Sequence, residues 1–282
     1  MTNEPLPLPH LMRLADGRLL GWYEFGDPAG RPCLYHPGTP ASGLAGIAYD
    51  AAAAAEGVRW ISIDRPGYGV SDPRPGRTLL DWPSDVAELA DHLGIDRFTV
   101  AGESGGAPHA LATAYVLPER VTTTLVIAGF LFGDQAWVRH GMNPALSTLA
   151  LLGQRAPWAV PAFLRLLRRA PKPPLERLLP ADREAMTAVD SRALQGGPDA
   201  YRQGAAAAIA ETRLVTSPPG FPLEAVTSPI HLWHGTADDA VPYAAALRAT
   251  DVLPNSTLHT VEHGGHLLAW TRQAEIVRHV AH

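Results

Sequence analysis

Three side chains far apart in the sequence have the types needed for nucleophilic acyl chemistry. Ser104 lies in "AGESGGAPHA", Asp238 in "HGTADDAVP" and His266 in "VEHGGHLLAW". A serine hydroxyl is a weak nucleophile until an imidazole takes its proton, and the imidazole works in the right tautomer when a carboxylate holds its other nitrogen. The glycines around Ser104 admit a second chemistry, a phosphate cradled at a helix N-terminus. A dinucleotide fingerprint, however, needs glycine at the position Ser104 occupies, and an acidic residue about 20 residues on, where this chain has "RVTTT". No GxxxxGK[ST] occurs either. Gly102-Glu103-Ser104-Gly105-Gly106 instead fits G-x-S-x-G at a strand-to-helix turn, which exposes the serine and points the Gly105 amide at a developing oxyanion.

The elements that would position these residues alternate along the chain. "LMRLADGRLLGWYEFG" holds Asp16-Gly17 between two alternating runs, a hairpin signal. "CLYHPG", "VRWISIDRPG", "FTVAGESGG", "VTTTLVIAGF", "PIHLWHGTADDAVP" and "STLHTVEHGGH" read as short strands. Helical patterns follow in "LLDWPSDVAELADHLG", after Ser104, in "YAAALRATDVL" and from Leu267. Such alternation predicts an α/β fold with a mostly parallel sheet, helices on both faces and ligands outside the carboxyl ends of the strands. Ser104, Asp238 and His266 each fall just past a strand, in that order, so all three loops open on one edge. Residues 133–225 carry helical patterns broken by "APKPP" and "TSPPGFP" and no strand pattern, as expected of a helical cap between two core segments, 1–132 and 226–282.

Composition narrows the partners. The chain has 282 residues, 46% hydrophobic and 18% charged, enough for a large core. Its 23 Lys plus Arg against 28 Asp plus Glu leave a formal charge of -5, which argues against nucleic acid and anionic membranes and for a small-molecule partner. Apolar stretches within 144–167 are interrupted by Gln154, Arg155, Pro157 and Pro161, too often for a membrane span. The single cysteine, Cys33, sits in an apolar run and reads as a buried thiol, and the N-terminus shows no secretory pattern, so a cytoplasmic location is expected. His263 and His266 form HxxH, but no HExxH or its inverse accompanies them, and no metal site is expected. The oligomeric state is left open.

These residues together resemble the α/β-hydrolase superfamily, specifically members with a serine nucleophile and a helical cap. The likeness covers nearly all of the chain outside the cap. "HPGTP" at 36–40 resembles the family's oxyanion loop, which implies the Thr39 amide as second donor beside Gly105. "DRPGYGVSD" resembles the stretch after the fourth strand, and "HGTADDAVP" the acid loop. Spacing before Val241-Pro242 implies Asp238 rather than its neighbour Asp239; some relatives take the acid from the loop after strand six, where Asp134 stands. A serine at the elbow points away from haloalkane dehalogenases and epoxide hydrolases, which attack through a carboxylate. Proline iminopeptidases are similar too, but usually carry tryptophan where this chain has Gly105. The resemblance implies a carboxylic ester hydrolase or related enzyme that needs no cofactor. Acyl transfer, carbon–carbon cleavage, cyclisation, peptidase chemistry and a non-catalytic ligand-binding role remain as alternatives. His36, Trp137, Trp158 and Leu164 are the expected substrate contacts.

Overall fold

The chain enters through a hairpin. Strands β1 (His10–Arg13) and β2 (Leu19–Gly26) pair antiparallel with Arg13 opposite Leu19, and the turn uses Gly17 at φ +91, a conformation glycine reaches without a Cβ penalty. The computed structural model describes residues 5–169, 176 and 178–280. Strands β3 (Arg31–His36), β4 (Val58–Ile63), β5 (Phe98–Glu103), β6 (Val121–Ile127), β7 (Ile230–Gly235) and β8 (Ser256–Val261) complete one sheet of order β1-β2-β4-β3-β5-β6-β7-β8. From β4 to β8 every pairing is parallel. The six residues of β5 are all buried, which is why that strand reads as a continuous apolar run rather than an alternating one.

Two apolar layers sandwich the sheet. On one face, α2 (Trp82–His92) and α3 (Ala107–Val116) bury Trp82, Val86, Leu89 and Leu111 against Leu34, Ile61 and Val100. On the other, α1 (Asp50–Ala55), the turn before it and a short C-terminal helix bury Leu44, Tyr49 and Ile276 around Trp60 and Tyr35. Trp60 stacks on Tyr49 with centroids 4.3 Å apart. Truncating such a ring costs about 3–5 kcal/mol.

Between β6 and β7 the described residues form only helices and turns. They are α4 (Pro144–Arg155), α5 (Val160–Arg169), α6 (Pro180–Ala188), the single turn α7 (Gly196–Asp199) and α8 (Ala206–Val215). α9 (Tyr243–Val252) then joins β7 to β8. The expected helix from Leu267 is instead a 3-10 turn, Leu268–Trp270, followed by α10 (Gln273–Val277). No helix among the described residues is long and apolar enough to cross a membrane.

Candidate active site

Ser104 stands where β5 stops and a 3-10 turn leads into α3, with φ +49. That region is costly for a residue with a Cβ, so the surroundings must hold it. The Ser104 carbonyl accepts a hydrogen bond from the Phe130 amide at 2.9 Å. The flanking glycines are required by close approach. A Cβ on Gly102 would lie 2.6 Å from the Gly106 carbonyl oxygen, and one on Gly106 would run into the carbonyls of His36 and Pro37.

The other two loops close on the serine. Nε2 of His266 lies 3.1 Å from Ser104 Oγ, and Nδ1 lies 2.9 Å from Asp238 Oδ2. Asp238 is fixed in the turn after β7, its Oδ1 accepting from the amides of Ala240 at 2.9 Å and Val241 at 2.8 Å. Burial alone would raise the Asp238 pKa, but His266 and His234 outweigh it and hold the carboxyl well below the usual range. Burial likewise opposes a charged His266, yet Asp238, Glu103 and Asp182 together push it up to about 9. With Nδ1–H given to Asp238, the neutral imidazole turns the Nε2 lone pair toward the serine hydroxyl.

The loop carrying Thr39 presses on the elbow, since a Cβ on Gly105 would lie 2.5 Å from Thr39 Oγ1. Buried Arg65, just past β4, clamps this loop. Its guanidinium donates to the Pro37 carbonyl, to the Gly38 carbonyl at 3.1 Å and to Thr39 Oγ1 at 3.0 Å, while Nε donates to Glu211 Oε1 at 2.8 Å. Glu211, on α8, also accepts from Arg77. Burial would raise the Glu211 pKa, but Arg65, His109 and Arg77 hold it at about 2. Burial, with help from both arginines, drops His109 to about 3 despite Glu211. Glu103, beside the serine, accepts from Tyr35 Oη at 2.6 Å and Tyr49 Oη at 3.3 Å, and burial raises its pKa.

A cavity of about 210 Å³ opens from Ser104, Gly105, Thr39 and His266. Its remaining wall is mostly apolar, with Phe130, Met142, Leu146, Leu149, Val215 and Val241 prominent. None of the four expected substrate contacts lines it. His36 is fully buried edge-on to Trp82, and Trp137 packs beside Phe132. Trp158 is 82% exposed, and Leu164 is buried with Tyr68 and Val160. Asp239 is exposed, and Asp134 borders a different cavity of about 270 Å³; His266 turns to Asp238. Cys33 is buried, which pushes its thiol pKa up and leaves it unreactive.

Asp182, Arg65 and Glu211 were not singled out from the sequence. Asp182 Oδ1 accepts from the Leu267 amide at 2.8 Å, next to His266. No local pattern marks such residues, because each meets partners distant in the sequence.

The match to the α/β hydrolase family spans residues 33–279, and the chain belongs to that family. It is 28% identical over 257 residues to a non-heme chloroperoxidase of Streptomyces lividans, covering 88% of this chain and 89% of that protein. It is 32% identical to a probable proline iminopeptidase of Streptomyces coelicolor, over 76% of this chain and 64% of that protein. A 35% identical stretch shared with the dihydrolipoyllysine-residue acetyltransferase component of an acetoin cleaving system of Pseudomonas putida covers 42% of this chain and 32% of that protein. An esterase from Exiguobacterium antarcticum has the same fold, with TM-score 0.67, 20% identity and 96% and 97% of the two chains covered.

Proposed function

We propose that this protein is a serine hydrolase that cleaves an ester-like acyl bond of a small, largely apolar substrate through an acyl-enzyme, with 133–225 acting as a cap. The observation that carries this reading is the unbroken line Asp238–His266–Ser104, at 2.9 and 3.1 Å, facing a mainly apolar cavity. His266 takes the Ser104 proton as Oγ attacks the carbonyl carbon, and the oxyanion forms against the amides of Gly105 and Thr39. Asp238 stabilises the imidazolium. His266 then returns the proton to the leaving alkoxide, and water repeats the sequence to release the acid and free the serine. Losing one oxyanion donor in such sites costs about 3 kcal/mol, so the clamp of Arg65 on the Thr39 loop bears on rate.

An ester or related neutral substrate is favoured over an aminopeptidase substrate by the lining itself. A free amino group would enter charged, and no carboxylate is among the residues that line the cavity. A fluorophosphonate probe should label Ser104 with one equivalent, and turnover of aryl esters, thioesters or lactones should vanish with labelling in Ser104→Ala. Labelling at another residue, with activity retained in that variant, would refute the reading.

A further inference from the structure

On the far side of the sheet's last strands, His231, His259 and His279 bring one ring nitrogen each to within 4.8 Å of one another, the one such trio of ligating side chains among the described residues. They come from three elements: β7, β8 and the turn after α10. Nδ1 of His231 lies 2.9 Å from Nε2 of His259. The His279 ring stacks on His231 with centroids 4.0 Å apart and lies 4.7 Å from His259. Trp233 stacks on His259 at 4.4 Å and 12°, which fixes that ring's plane.

The trio is separate from the Ser104 cleft. His231 is the second residue of β7, whereas Asp238 follows its carboxyl end. Four residue steps from His231 to Gly235, at about 3.3 Å each, already put roughly 13 Å between them. No carboxylate among the described residues pairs with any of the three rings; the His231–His259 hydrogen bond and ring stacking hold them together. Their partial burial leaves solvent access. A neutral imidazole offers one nitrogen without a proton, so each of the three rings can supply one ligand atom to an ion.

We propose that His231, His259 and His279 form a binding site for a borderline divalent transition-metal ion of the Zn²⁺, Ni²⁺ or Cu²⁺ type, with water completing its coordination. Imidazole nitrogens suit these ions, whereas Mg²⁺ and Ca²⁺ require oxygen ligands. Metal–nitrogen bonds of about 2.0–2.1 Å place tetrahedral ligands roughly 3.4 Å apart. His231 Nδ1 and His259 Nε2, at 2.9 Å, need to part by only about 0.5 Å to hold one ion, and the His279 ring, stacked on His231, turns out of that stack to bring its nitrogen to the third position. In the metal-free trio one proton sits between His231 Nδ1 and His259 Nε2; when the ion takes that place, the ring that carried it shifts to its other tautomer through solvent, so binding to the neutral trio releases no net proton. The ion would tie β7, β8 and the segment after α10 together and stabilise the folded chain.

The test is calorimetric titration of the tag-free, chelator-treated full chain with ZnCl₂ and, separately, NiCl₂. One ion per chain is expected, with affinity reduced tenfold or more in His231→Ala and His259→Ala, unchanged in His263→Ala and not competed by Mg²⁺. His279→Gln, beyond the last helix, is the milder variant should a strand substitution disturb folding, and it too should weaken binding. Electron paramagnetic resonance of the Cu²⁺-loaded protein should show coupling to three imidazole nitrogens. Absence of one-to-one binding, undiminished affinity in the His231 and His279 variants, or coupling to a single nitrogen would overturn the proposal. None of these readouts depends on ester hydrolysis, so the hydrolase reading stands or falls separately.

Discussion

Asp182 Oδ1, on helix α6 between β6 and β7, accepts a hydrogen bond from the Leu267 amide at 2.8 Å, and its carboxylate fills the space a Cβ on Gly265 would need. The helical insertion thus touches the turn that carries His266. Burial raises the Asp182 pKa, and its charge is one of the groups that raise His266.

Neutralising that carboxylate should move the pH dependence of catalysis. In Asp182→Asn the hydrogen bond to Leu267 can persist while the charge is lost, so the His266 pKa should fall and the acid limb of kcat/KM should shift to lower pH, with kcat within a few-fold. Asp182→Ala removes the hydrogen bond as well and should lower kcat about tenfold by loosening the turn. Unshifted pH profiles in both variants would show that Asp182 serves packing alone.

The wild-type profile has its own expected sign. His266 must be neutral to accept the Ser104 proton, and its pKa lies at about 9 in the free protein. Below that value kcat/KM should rise roughly tenfold per pH unit and level off above it. The same shift acts on stability in the opposite direction. A histidine whose pKa rises from 6.5 to about 9 on folding stabilises the fold fully below 6.5, and this contribution fades as pH climbs through 9. A plateau of kcat/KM already reached at pH 6 would contradict this electrostatic picture.

Substitution separates the two adjacent acids. Asp238→Asn should lower kcat by orders of magnitude, because an amide favours the wrong imidazole tautomer, while exposed Asp239→Asn should change it by less than about twofold. Steady-state rates on one aryl ester suffice, and the reverse ranking would transfer the role to Asp239.

Much of this geometry is legible in the sequence because it is local. The Asp16-Gly17 hairpin, the G-x-S-x-G turn and the loops after β7 and β8 each declare themselves within about ten residues, and a parallel sheet then brings three strand ends to one edge. What is not local is lost. The apolar stripe of α5 announces a buried face without saying what covers it; Leu164 packs on Tyr68 and Val160, and neighbouring Trp158 points to solvent. The cavity wall comes instead from α4, through Leu146, Leu149 and Ala150. Glu211 shows the same limit. Its partners Arg65, Arg77 and His109 lie more than 100 residues away, and nothing near it in sequence signals a buried ion-pair network.

That network should govern acid stability. Glu211 is held at about 2 against an ordinary 4.5, and His109 at about 3 against 6.5. Both depressed values give stability that is complete above the ordinary pKa and is lost as pH falls through the folded one. Thermal midpoints should therefore decline from about pH 6.5 downward, most steeply below 4.5. Glu211→Gln leaves two buried guanidinium groups under-compensated and should destabilise the protein by about 3–5 kcal/mol. It should also flatten the decline between pH 4.5 and 2. A melting temperature in the variant equal to wild type at pH 7 would exclude this role.

The cavity sets the last expectation, which concerns substrate size. Its volume of about 210 Å³ is below the range of roughly 300–1,000 Å³ typical of pockets for drug-sized ligands, and its lining beyond Ser104 and His266 is mainly apolar, with Thr39, Thr212 and Thr216 the polar exceptions. Each methylene buried there contributes about 0.8 kcal/mol, nearly a fourfold gain in kcat/KM, until the chain meets the wall. We expect kcat/KM to climb from acetyl to butyryl or hexanoyl esters and then fall. Leu149→Ala should move the optimum toward longer chains by enlarging the cavity, and Ala150→Leu should move it toward acetyl by filling it. Trp158→Ala, at an exposed position, should leave the optimum unchanged. Hydrolysis rates for an acyl series of p-nitrophenyl esters test all three variants together. A profile that ignores Leu149 and Ala150 but responds to Trp158 would mean the acyl chain leaves Ser104 by another route than this cavity.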